Sequence, residues 1–277
     1  MENRKVWFVT GASNGLGLAL ATKLLASGHR VAATSRDIKK LRSAIGYDGT
    51  AFLPLQVPLN DDENVGRAIR QTYEKFGRLD VVVNNAGYGI GGTMEELTDK
   101  EVRDNFDINV FGTINVIRHA LPVLRKQGKG HIMNISSIAG IAPGTGWSVY
   151  SATKHAVIGL TEVLAEDVKA FGIKVTLIAP GAFRTNFNNP DALVMAAKKI
   201  DAYAPLHTAL ERFSEMSGRQ AGDPVKAADV MMHLAEMTEP PVYLLLGSDA
   251  YTRAMHKMDA LTSGYVEWET LTKSTDY

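Results

Sequence analysis

The 277-residue chain contains no cysteine. That excludes a disulfide framework and thiolate metal sites, and it fits a reducing compartment. There is no excess charge of either sign, because thirty basic residues balance thirty acidic ones. A chain-wide electrostatic grip on nucleic acid or an anionic membrane is therefore not expected. Long apolar runs are missing too. The opening "MENRKVWFVTGASNG" has a basic flank, but its apolar run stops at Thr10-Gly11, too short for a signal peptide or a membrane helix. The seven histidines are scattered, with no HExxH and no carboxylate cluster at ligand spacing, so no catalytic metal is expected. No repeat, low-complexity tract or linker divides the chain. These absences predict a soluble, cytoplasmic protein, with neither nucleic acid nor membrane as a partner.

What is present is an alternation. Short β-branched runs at 5–10, 30–35, 50–57, 79–84, 130–136, 173–180 and 242–246 read as strands. Amphipathic stretches at 17–27, 37–45, 61–76, 98–127, 148–171 and 224–236 read as helices. This predicts a single α/β domain over 1–277, doubly wound around a mostly parallel seven-stranded sheet with helices on both faces. Residues 182–222 break the rhythm. They are rich in Asn, Ala and Met, with Pro190 and Pro205 as breakers, and read as an insertion over the carboxyl edge of the sheet, where such folds bind ligands. A carboxyl-terminal helical extension is expected at 248–273. Its Tyr251, Met255, Met258, Leu261, Tyr265 and Trp268 recur at helical spacing, which is read as a helix packed on its own domain, with an oligomer contact as the alternative.

"VTGASNGLG" follows the first strand and opens the first helix. Gly11, Gly15 and Gly17 permit a tight turn, close backbone approach to a ligand, and a helix N-terminus aimed at phosphate. The same letters, Gly11-Ala12-Ser13-Asn14-Gly15, also spell the G-x-S-x-G nucleophile elbow of hydrolases. An elbow normally follows several strands, however, whereas this turn follows the first strand read, so an oxyanion loop from preceding chain is not expected.

Tyr150 and Lys154 lie four positions apart and share a helix face. Ser137 ends the fifth strand, Asn109 lies in the helix after the fourth, and "NNAG" at 84–87 closes the fourth strand. All belong to carboxyl ends of strands or the helices that follow, so they can converge on one crevice. "TGASNGLG", "NNAG", Asn109, "NISS", "YSATK" and "PGAFRT" together resemble the short-chain dehydrogenases/reductases, in order and spacing, over about residues 4–185.

The resemblance implies a Rossmann fold, a nicotinamide cofactor and hydride transfer between an alcohol and a carbonyl. It implies that Asn109, Ser137, Tyr150 and Lys154 are catalytic. Tyr150 donates the proton, Lys154 lowers the phenol's pKa and bonds the nicotinamide ribose, Ser137 steadies the substrate oxygen, and Asn109 holds a water feeding protons to Lys154. Chemistry agrees: a free phenol, at a pKa of about 10, is too weak an acid, and a neighbouring ammonium corrects this. The cofactor would be held by Gly11, Ser13, Asn14, Gly15, Leu16 and Gly17 at the glycine turn. Asn85, Ala86 and Gly87 would line the adenosine side. Pro180, Gly181, Phe183 and Thr185 would flank the nicotinamide, with Thr185 on the carboxamide. Gln56 and Val57 would lie at the adenine, although the family often carries aspartate where this chain has Gln56. A homo-oligomer, dimer or tetramer, is likewise implied.

NADP(H) is favoured over NAD(H). The acidic residue that NAD-binding folds place at the end of the second strand is here Ser35, and Arg36 beside it can grip a 2′-phosphate. Asp37 could neutralise Arg36, and Asn14 stands where NADPH-using members often carry a cation. The substrate is expected to be a small apolar carbonyl or alcohol, with Trp147, Phe183, Phe187, Met195, Tyr203 and Phe213 as candidate walls. A nucleotide-binding regulatory protein on the same fold is the main alternative. A serine hydrolase using Ser13 is the other.

Overall fold

The computed structural model describes residues 4–188, 192–215 and 218–277. Pro190 lies outside them. Seven strands form one parallel sheet: β1 (Val6–Val9), β2 (Arg30–Ser35), β3 (Phe52–Gln56), β4 (Val81–Asn84), then β6 (Gly130–Ile135), β7 (Ile173–Pro180) and β9 (Tyr243–Leu246). Their order is β3-β2-β1-β4-β6-β7-β9. Two short strands, β5 (Gly89–Gly91) and β8 (Leu193–Met195), pair in parallel outside it.

The central strands β1 and β4 are buried at every position and mostly apolar because both faces are covered. Side chains alternate across the pleat. Trp7 and Val9 of β1 join the core on one face, while Val6 and Phe8 join the core on the other. The first core is covered by α1 (Gly15–Ala26), α2 (Ile38–Ile45) and α9 (Pro224–Glu236), the second by α3 (Asp62–Phe76), α5 (Gly112–Gln127) and α7 (Ser148–Lys169). Several helices begin on side-chain caps. Asp37 accepts from the N–H groups of Lys39 and Lys40 at α2, Asp61 accepts from Asn64 N–H at α3, and Asp223 precedes Pro224 at α9.

The region expected as one helix over 98–127 has two parts. α4 (Asp99–Phe106) starts with a Thr98–Glu101 capping box, and a π-helical turn at Asp107–Phe111 joins it to α5. Asn109 lies in that turn, a distortion common at functional sites. A short helix, α6 (Ile138–Ile141), follows Ser137.

The 182–222 insertion is more regular than its composition suggests. It contributes β8 and the helix α8 (Ala204–Glu215). The carboxyl-terminal extension forms α10 (Ser248–Glu267) and α11 (Glu269–Lys273). Here the sequence expectation fails. Tyr251, Met255, Met258, Tyr265 and Trp268 do not pack on the domain but are exposed, and Leu261 is only half-buried. α10 docks instead through Ala250 and Ala254, against Ile138, Ile141, Ala142 and Leu245. Two alanines one turn apart let the helix lie close, and the large side chains one position on are turned outward. No helix of the described residues is long and apolar enough to cross a membrane.

The chain leaves β1 toward β2 and β3 on one side and returns through β4, β6 and β7 on the other. The crevice over the carboxyl ends of β1 and β4 is therefore the switch point of the sheet.

Candidate active site

A cavity of about 510 Å³ opens over that crevice. Of the residues expected from sequence, it is lined by Gly11, Ser13, Asn14, Gly15, Leu16, Arg36, Val57, Asn85, Ala86, Gly87, Ser137, Tyr150, Lys154, Pro180, Gly181, Phe183 and Thr185. Three expected residues are not on its wall: Gly17, Gln56 and Asn109.

The glycine turn has a physical necessity at two points. Gly11 adopts φ +65°, and a side chain there would strike Ala86. A Cβ on Gly17 would collide with the Asn85 carboxamide, so Gly17 serves close packing of α1 rather than ligand contact. Asn85 ties the turn to β4 by donating to the carbonyls of Thr10 and Gly11. α1 itself starts without a side-chain cap and without an acid in its first turn. Its leading N–H groups therefore face the cavity ready for an anion.

Ser13 is no nucleophile elbow here. Its hydroxyl oxygen accepts from Ser35, and no imidazole among the described residues lines the cavity. Arg36 lies on the cavity wall and forms no ion pair among the described residues. Asp37 does not neutralise it, because that carboxylate caps α2. Gln56 is turned away and donates to the Arg36 carbonyl.

Tyr150 and Lys154 stand on α7, both buried. The Lys154 ammonium lies 5.8 Å from the Tyr150 ring centre and donates to the Ile135 carbonyl at 3.0 Å. Burial lowers the Lys154 pKa to about 8. Burial also raises the Tyr150 phenol to about 12, against a hydrogen bond with Ser137 that pulls it down. The expectation that Lys154 depresses the phenol is thus not met by the protein alone: desolvation of the phenolate dominates, and the opposing influence is the Ser137 hydrogen bond. Ser137 doubles as the N-cap of α6, its oxygen accepting from Ala139 N–H at 3.1 Å. That leaves its hydroxyl proton to be directed at an oxygen in the cavity.

Asn109 is fully engaged in packing. Its carboxamide accepts from Tyr88 N–H and donates to the Tyr88 carbonyl and the Thr153 hydroxyl, each at 3.0 Å. The carboxamide oxygen and the Lys154 ammonium both lie against Gly87. Asn109 therefore fixes the floor beside Lys154, and its side chain is not on the wall.

The substrate side is aromatic. Trp147 meets Tyr150 and Phe213 edge-on at centroid distances of 6.0 and 5.0 Å, and Phe187 lies 5.9 Å from Tyr150. Two expected wall residues fall elsewhere. Met195 lines a separate small cavity, and the Tyr203 hydroxyl donates to Glu95.

Among the cavity-wall residues that sequence reasoning missed, two are charged: Asp249 and Arg253. Asp249 and Arg253 come from α10. The readable signal was "GSD" directly after the last strand, since residues there face the same edge as the other strand ends.

A profile of the family described as "short chain dehydrogenase" matches residues 5–193. The chain belongs to the short-chain dehydrogenases. As a member of that family it is an oxidoreductase that needs a nicotinamide cofactor. It is 34% identical over 268 residues to Oxidoreductase BOA17 of Botryotinia fuckeliana, covering 96% of this chain and 97% of that one. A short-chain dehydrogenase from Streptomyces avermitilis superposes with a TM-score of 0.92 at 36% identity, over 99% of this chain and all of that one. ElxO with NADP bound superposes with a TM-score of 0.75 at 28% identity, over 90% of this chain and 99% of the other. The family profile stops short of α8, α9 and α10, so those elements of this dehydrogenase are where its individuality is to be sought.

Proposed function

We propose that this short-chain dehydrogenase interconverts a ketone or aldehyde and the corresponding alcohol, with Tyr150 giving and taking the proton. The observation that carries this reading is the convergence of the Tyr150 phenol, the Ser137 hydroxyl and the Lys154 ammonium on one aromatic cavity beside an uncapped helix N-terminus.

The residues present suit a dinucleotide. Uncapped N–H groups of α1 would hold a pyrophosphate, Arg36 a 2′-phosphate, and Thr185 the nicotinamide carboxamide. A dihydronicotinamide held there would supply hydride chemistry at the carbonyl carbon. The chain acts on the oxygen. Tyr150 transfers its proton there, and the Ser137 hydroxyl donates a hydrogen bond as negative charge develops. Lys154 returns a proton toward the phenolate, and Asn109 keeps Tyr88 and the floor beside Lys154 in place. The aromatic wall of Trp147, Phe187 and Phe213 favours an apolar body on the substrate. Arg36, unopposed by Asp37, favours NADPH over NADH.

The test is spectrophotometric. The protein is mixed with NADPH or NADH and a panel of aryl and alkyl ketones, and loss of the reduced nicotinamide band is followed. Turnover that survives Ser13→Ala supports the reductase. Tight binding without turnover across the panel supports a nucleotide-binding regulator instead, and ester hydrolysis abolished by Ser13→Ala supports a hydrolase.

A further inference from the structure

Four charged side chains line the cavity among the described residues: Arg36, Lys154, Asp249 and Arg253. Arg36 follows β2, on the side of the cavity assigned above to the 2′-phosphate. Lys154 is buried and held by Ile135. The remaining two come from α10, beyond the segment matched by the family profile.

Asp249 and Arg253 do different work. Asp249 accepts from Ala182 N–H at 2.8 Å, and a side chain on Gly181 would collide with its carboxylate. It thereby clamps the start of α10 onto the turn after β7. Its charge is further stabilised by its place in the first turn of α10, where the helix dipole favours an anion. Arg253 lies one turn on. Ala250 and Ala254, on either side of it, seat the helix against α6. The Arg253 guanidinium donates to the Ala142 carbonyl at 2.5 Å, at the end of α6 and on the loop that leads to Trp147. It makes no ion pair with Asp249 or any other carboxylate among the described residues. A guanidinium has five N–H donors in a rigid fork, so one neutral carbonyl leaves most of the fork and the whole charge unmatched. Its backbone is anchored by the Asp249 clamp and its head is oriented by Ala142. A cation is thus held in place at the edge of an aromatic cavity.

We propose that Arg253 is a specificity-determining residue, forming an anion subsite that selects carbonyl substrates carrying a carboxylate or comparable anionic group at the far end of an apolar body. This rests on the carbonyl-reductase reading and deepens it. Asp249 and Arg253 form no ion pair among the described residues, and one Asp249 oxygen is engaged by the Ala182 N–H. The solvated-arginine explanation accounts for the Ala142 bond but predicts no discrimination by substrate charge.

The probes are a ladder of methyl-ketone acids of about five to twelve carbons, each paired with its methyl ester, plus the matching ketone amines. Two quantities are measured on the full chain with NADPH: kcat/KM, and ligand affinity by calorimetry. At one chain length the acid should exceed its ester by about 10- to 100-fold, the usual worth of a charge-assisted hydrogen bond. Added salt should shrink that ratio. Arg253→Met keeps much of the apolar stem and should bring the ratio to within about twofold of unity by lowering the acid's value alone. Arg253→Lys should retain part of the preference. Equal values for acid and ester in the wild type, or a preference for the amine, would overturn the subsite while ketone turnover upheld the reductase. If no ketone is reduced, the calorimetric ratio still decides. An acid preference lost in Arg253→Met supports the subsite, and its absence refutes it.

Discussion

Lys154 keeps its ammonium on a backbone carbonyl in a dry setting, and its pKa of about 8 puts its proton within reach of ordinary buffers. The Tyr150 phenol, at about 12, stays protonated far above that. The sign for the reductive direction follows. Below about pH 8 Lys154 holds a proton to return to Tyr150; as pH rises through that value the supply is lost, while the phenol has not itself ionised. Ketone reduction should therefore be level below the break and decline above it, with the break set by Lys154. A kcat profile flat to pH 10 would remove Lys154 from proton supply. Arg36 gives a second prediction. Its guanidinium has no carboxylate partner among the described residues, since Asp37 is committed to capping α2. Arg36→Ala should raise KM for NADPH by about tenfold, as one lost charge-assisted contact implies, and leave KM for NADH nearly unchanged. Equal responses to the two cofactors would show that Arg36 merely faces solvent.

Among the elements, the β8–α8 insertion is tied to the rest of the chain through one buried carboxylate, Glu96. Burial works to raise the Glu96 pKa, yet hydrogen bonds from the N–H groups of Ile200 and Thr93, from His207 and from the Thr93 hydroxyl hold it at about 2. The Ile200 and His207 contacts are 2.9 and 2.5 Å. Because the folded value is depressed below the usual 4.5, this docking is fully present above about pH 4.5 and lost as pH falls toward 2. Glu96→Ala should speed amide exchange across 200–215 about tenfold or more and raise KM for substrate, leaving the β1–β4 core protected. Unchanged exchange there would mean the insertion is held by its apolar contacts alone. The sequence showed an insertion over the carboxyl edge but not the β8 and α8 inside it. β5 and β8 are three residues each and gain their identity only from each other, and the Pro205 read as a breaker sits in the first turn of α8, where proline is tolerated. The sheet strands were legible because burial on both faces leaves near-continuous apolar runs. The grouping of Ser137, Tyr150 and Lys154 on one cavity wall was legible because strand ends share one edge. The outward face of α10 was misread because helical spacing shows that a stripe exists, not which face of the helix docks. Only contact with α6 decides that, through Ala250 and Ala254.

At the scale of the whole molecule, cofactor and fold are linked, since the nucleotide crevice spans the ends of β1, β2, β4, β6 and β7. A ligand that binds only the folded chain stabilises it by about 2.7 kcal/mol at a hundredfold excess over its Kd. For a domain of this size that corresponds to a Tm rise of about 5–10 °C. NADPH should give the larger rise at equal concentration if Arg36 grips its 2′-phosphate. NADH matching or exceeding NADPH would contradict that preference. The most direct measurement of the central claim takes Tyr150→Phe, which keeps the ring among Trp147, Phe187 and Lys154 and removes only the hydroxyl. Cofactor affinity and ketone turnover are measured on the same preparation. The account predicts near-normal cofactor binding with turnover reduced by about two to four orders of magnitude. Turnover close to that of the wild type would contradict it.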